Sequence, residues 1–135
     1  MKLALGPVLY HWPRDTFLNF YQEIGEAPVD SIYLGEVICS KRRNLSNNEW
    51  KTLAFELKEK GKEVVLSTLA LLEAESEVST LKRIVNNGDF IIEANDMAAV
   101  QLAIENKLPF VAGPHINIYN GHTLKNLADK GMYRW

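Results

Sequence analysis

Short apolar runs recur along this chain, and each is followed by a loop, a segment with helical spacing and a stop signal. The runs are Leu3-Ala4-Leu5, Ser31-Ile32-Tyr33-Leu34, Val64-Val65-Leu66, Phe90-Ile91-Ile92 and Phe110-Val111-Ala112. The third is β-branched and lacks polar alternation, as a strand covered on both faces must be. Strands that alternate with helices in this way specify a parallel sheet flanked by helices.

The intervening segments carry their own signals. Phe17, Phe20, Tyr21 and Ile24 fall at i, i+3, i+4 and i+7, which predicts a helix around Asp15–Ile24 with Gly25 as its stop. Ser46-Asn47-Asn48-Glu49 matches a capping box, and Trp50, Leu53, Ala54 and Leu57 continue at helical spacing to Gly61. Val78, Leu81, Ile84 and Val85 mark a third helix, stopped near Asn87-Gly88. Asn95 or Asp96 can cap a fourth, with Met97, Val100 and Ile104 on its inner side. A fifth is expected near Thr123–Lys130, and Met132-Tyr133-Arg134-Trp135 has the look of a sixth strand.

Two architectures suit this pattern, an open doubly wound sheet and a TIM-type (β/α)8 barrel. The barrel averages about 30 residues per unit, close to the spacing here. The chain has no Gly-rich phosphate loop of the dinucleotide-binding kind. The expectation is therefore one α/β domain over residues 1–135, made of five βα units and the start of strand six, incomplete as a barrel. Such a half-barrel has strand edges to cover and is expected to self-associate.

Composition narrows the function classes. Hydrophobic residues at 47% and charged residues at 24% are ordinary for a globular domain, and the net charge of −2 gives no general attraction for nucleic acid. The single cysteine excludes an internal disulfide. With no apolar stretch of signal-peptide or membrane-spanning length, the cytoplasm is the expected compartment.

Several segments resemble a known family. They are Asp30-Ser31-Ile32-Tyr33-Leu34-Gly35-Glu36, Cys39-Ser40-Lys41-Arg42-Arg43, Leu66-Ser67-Thr68-Leu69-Ala70-Leu71, Phe90-Ile91-Ile92-Glu93-Ala94-Asn95-Asp96 and Leu108-Pro109-Phe110-Val111-Ala112-Gly113-Pro114. Together they resemble the collagenase-like peptidase family (peptidase U32), and the second and third resemble its UbiV-type branch of oxygen-independent ubiquinone biosynthesis. That resemblance implies an eight-stranded barrel with a [4Fe–4S] cluster on four cysteines. It also implies a heterodimer with a UbiU-type subunit, and a lipid-carrier accessory protein in the same pathway. Cys39 matches the first of the four cysteines, and the other three would lie outside this chain.

Barrel enzymes carry their functional groups on the loops after the strands. That rule selects Tyr10, His11, Glu36, Cys39, Ser67, Thr68, Glu93, Asn95, His115, Asn117, Tyr119 and Asn120. Glu36, Glu93 and His115 are the candidates for proton transfer. Tyr10, Ser67, Asn95 and Asn117 are candidates for a substrate pocket. The plain alternatives are a solvated or capping acid for Glu36 and Glu93, a structural histidine for His115, and helix caps for Asn117 and Asn120. Cys39 is the cluster-ligand candidate, with Lys41, Arg42 and Arg43 nearby to favour a thiolate. Three functions stay open: an iron–sulfur hydroxylase subunit inactive as this chain alone, a collagenase-like peptidase, and a self-associating fragment without catalysis.

Overall fold

The computed structural model describes all of Met1–Trp135. Six strands and five helices alternate: β1 (Ala4–Leu5), α1 (Arg14–Glu26), β2 (Ser31–Leu34), α2 (Asn47–Glu59), β3 (Glu63–Ser67) and α3 (Glu75–Val85). There follow β4 (Ile91–Ala94), α4 (Met97–Glu105), β5 (Phe110–Ala112), a 3₁₀ turn at Pro114–Ile116, α5 (Gly121–Ala128) and β6 (Met132–Arg134). Every neighbouring pair is parallel, and the sheet order is β1-β2-β3-β4-β5-β6 without reversal.

Strand parity places the helices. Ile32, Leu34 and Val64 share a buried cluster with Phe17 and Tyr21 of α1 and with Leu53, Ala54 and Leu57 of α2. Ile92, Ala94 and Phe110 share a second with Leu81 and Val85 of α3, Val100 of α4 and Leu127 of α5. These strand residues all point to one face, so every helix packs on the same side. A doubly wound sheet would have helices on both.

The other face is also partly covered. Val65 is fully buried on it, and Val111 is nearly so. The reason is curvature. In a flat sheet β3 and β6 would stand about 14 Å apart, three spacings of roughly 4.8 Å. Yet Arg134 of β6 grips Glu63 of β3 with two hydrogen bonds, Nη1 to Oε2 at 3.1 Å and Nη2 to Oε1 at 2.5 Å. Its guanidinium also lies 6.0 Å from the ring centre of Tyr33 on β2. The face opposite the helices is therefore concave. Arg134 stands in register with Val111, Glu93 and Ser67, four residues beyond Glu63 along β3. Strands tilted to the axis of the curl bring such offset residues to one level.

A bulge aims Arg134 inward. Phe110 pairs with Met132, but Val111 pairs with Arg134, which leaves Tyr133 as the extra residue. Met132 thus keeps its place in the helix-side core while Arg134 turns to the concave face.

Four local expectations need correction, the first being Met97, which is exposed rather than on the inner side of α4. Gly25 does not stop α1 but lies buried inside it, where a Cβ would come within 2.7 Å of Lys60 Cδ. Fifth-helix winding starts at Gly121, two residues early, because Asn120 caps it by accepting the Thr123 N–H at 2.9 Å. Ser67 closes β3 and Glu93 lies within β4, one residue before Ala94, rather than opening loops.

Candidate functional site

At the C-terminal ends of β3, β4 and β5 the concave face changes from apolar to polar. Ser67, Thr68, Glu93 and Asn95 are all buried there. Thr68 Oγ1 donates to the Glu93 carbonyl at 3.0 Å and accepts the Asn95 N–H at 3.1 Å. This ties β3 to β4 just where regular pairing ends. The Asn95 amide then donates to the Thr68 carbonyl at 3.1 Å and to Glu93 Oε2 at 3.0 Å. Its Oδ1 faces His115 Nδ1 at 3.1 Å.

Two glycines make room for this cluster. A Cβ at Gly113 would sit 2.0 Å from Asn95 Oδ1 and 3.0 Å from Glu93 Cγ. One at Gly35, whose φ is +153°, would sit 2.5 Å from the Ser67 carbonyl oxygen. The strand ends approach one another more closely than any side chain allows.

Glu93 is 5% exposed, and its carboxylate receives a hydrogen bond only from Asn95, with no cation in ion-pair range. Ser67 Oγ is buried without a partner. Buried polar groups are ordinarily satisfied, so the unpartnered Ser67 Oγ stands out here, as the unpartnered Tyr21 hydroxyl does in the α1 core.

The other expected residues are placed differently. Glu36 turns back on its own loop, where Oε1 accepts the N–H groups of Ile38 at 2.9 Å and Cys39 at 3.0 Å. That loop is pinned further: Arg42 donates to the Leu9 carbonyl at 2.7 Å, Ser40 to Glu77, and the Ala70 N–H to the Val37 carbonyl at 2.9 Å. Cys39 is a half-buried free thiol on this braced loop. Asn117 takes a left-handed conformation (φ 55°) and donates to the His115 carbonyl at 3.2 Å, while Tyr119 OH reaches Asn117 at 3.4 Å. Tyr10 and His11 are exposed. Ser67, Thr68, Glu93, Asn95 and His115 thus meet, whereas Tyr10, Glu36 and Asn117 occupy the surrounding loops.

Around this end runs a rim of exposed apolar side chains, at least one from each segment that follows β1 to β5: Leu9 and Tyr10, Ile38, Leu71, Met97 and Tyr119. A separate concavity lies on the helix side. It is a groove of about 1250 Å³ between α2 and α3, floored by Leu34 and Leu66 and reaching Gly35 and Ser67 at its upper end.

A [4Fe–4S] cubane takes four thiolates. The chain has Cys39 alone, and no group of three or more His, Cys, Asp or Glu side chains lies close enough to hold a metal ion. The residues present do not fit a whole cluster. No helix is long and apolar enough to cross a membrane.

A parallel α/β protein with a buried polar cluster at the C-terminal strand ends is the class that these features define. The sequence profile of Peptidase family U32 matches residues 18–135. The chain belongs to that family. No solved structure matches it.

Proposed function

We propose that this chain is the N-terminal portion of an iron–sulfur protein that acts with a UbiU-type partner and hydroxylates ubiquinone precursors without O₂, in a pathway that also uses a lipid-carrier accessory protein. The curled six-stranded sheet is then part of a TIM-type (β/α)8 barrel. The observation that carries the reading is the pairing of a buried polar cluster with an apolar rim at one end of the sheet. An aromatic ring with polar substituents suits such a mouth. The branch-like strings around Cys39 and Leu66–Leu71 point the same way. Cys39 supplies one thiolate to a cluster whose other ligands lie outside this chain, and a bound cluster would supply one-electron chemistry. Alone, this chain is inactive and pairs with itself through its β1 and β6 edges, where Leu3, Tyr133 and Trp135 are exposed.

The test is Cys39→Ala in the complete protein, reconstituted without oxygen. Loss of iron, sulfide and the visible absorption is expected. Full retention of all three would remove Cys39 as a ligand. Turnover of gelatin by the complete wild-type protein would favour the peptidase reading instead.

A further inference from the structure

The hydrogen bonds around Asn95 determine which nitrogen of His115 carries its proton. Both hydrogens of the Asn95 amide have acceptors, the Thr68 carbonyl and the Glu93 carboxylate. Flipping the amide would set its oxygen against those two oxygens, so the orientation is settled by the network. The group facing His115 is then Oδ1, which can only accept. His115 Nδ1 must therefore be the donor. In the neutral ring this leaves the lone pair on Nε2, and His115 as a residue is exposed.

We propose that Glu93, Asn95 and His115 form a positioning relay that holds His115 as the Nδ1–H tautomer, with Nε2 as proton acceptor for the hydroxyl of a phenolic ligand. The ligand class rests on the aromatic substrate proposed above. It is supported by Met97 and Tyr119, exposed apolar groups that belong to the two segments carrying Asn95 and His115. Thr68 and Gly113 complete the device. The first fixes the Asn95 backbone, and the second leaves the space that the Asn95 side chain fills. His115 touches the ligand in this scheme, and Glu93 and Asn95 act only through it.

Nitrogen-15 NMR of the histidine-labelled chain, recorded at a pH above the titration of the ring, reads the tautomer directly. A predominantly Nδ1–H ring at His115 is expected, against the Nε2–H preference of an unconstrained histidine side chain. A predominantly Nε2–H ring overturns the proposal, and because this is the wild-type spectrum no failed variant can rescue it. In Asn95→Leu, if folded, the ring should revert to Nε2–H, and an unchanged tautomer would show that Asn95 is not the determinant. Phenol should then shift the His115 Nε2 resonance saturably, while anisole, which has no hydroxyl hydrogen, should not. No shift with phenol, or equal shifts with both, overturns the acceptor role. These spectra need neither cluster nor partner subunit, so their failure is distinct from failure of cluster ligation at Cys39.

Discussion

At the scale of single residues, the site depends on the absence of a side chain at Gly113. An added Cβ would lie 2.0 Å from Asn95 Oδ1, a distance that no contact tolerates, and the displaced group is a buried amide with three partners. Gly113→Ala is thus expected to cost about 1–3 kcal/mol, the usual range for overpacking. Urea titration would measure it. The same variant should weaken the link between Asn95 and His115. Gly121→Ala is the control, because a Cβ there meets nothing within 4 Å. A stability loss at Gly121 as large as that at Gly113 would show that steric contact is not the cause.

At the scale of elements, α2 shows how a local signal becomes a stable helix start. Ser46 Oγ accepts the Glu49 N–H at 3.3 Å and Glu49 Oε2 accepts the Ser46 N–H at 2.8 Å, completing the expected box. Arg14, from the start of α1, donates to the same carboxylate. Removing the cap by Ser46→Ala should cost about 1 kcal/mol. The Arg14 hydrogen bond, followed by those from Ser46, lowers the Glu49 pKa to about 2. Its contribution is therefore present above the unfolded value of about 4.3 and is lost as pH falls from there through about 2. Both partners are more than a third exposed, so the amplitude is small and shrinks with added salt. Acid titrations of wild type and Glu49→Gln should diverge only in that interval. The box was legible because it lies within four consecutive residues, and the helix stripes and apolar strands for the same reason. The contact between Asn95 and His115 spans 20 residues and depends on how β4 and β5 pair, which no local spacing encodes. The buried Glu93 was expected on a loop because an acid breaks the apolar run Phe90-Ile91-Ile92. In fact it lies within β4, one residue before its end at Ala94, and points into the curl, where it is matched with Ser67.

At the scale of the whole molecule, one ion pair spans the concave face. Arg134 reaches Glu63 from three strands away, Ser31 of β2 donates to the same carboxylate, and the Tyr33 ring lies alongside. Three of the six strands thus meet at one carboxylate, and β2 and β6 touch it from opposite sides of the curl. The Arg134 hydrogen bonds are the largest influence lowering the Glu63 pKa, with burial opposing. The pair is 30% and 39% exposed, so solvent screening keeps its worth to the order of 1 kcal/mol. Its consequence is geometric rather than large in energy. β6 otherwise holds only to β5 in the sheet, through a ladder interrupted by the bulge at Tyr133. Replacing Arg134 by methionine keeps the length of the stem and removes the fork. The expected result is a global stability change of about 1 kcal/mol or less, with hydrogen exchange accelerated in Met132–Arg134 and unchanged in β2–β4. If exchange in β6 stays as slow as in wild type, the bulge and the Met132 contacts hold the strand without the ion pair. If β2–β4 loosen equally, the pair instead supports the sheet as one cooperative unit.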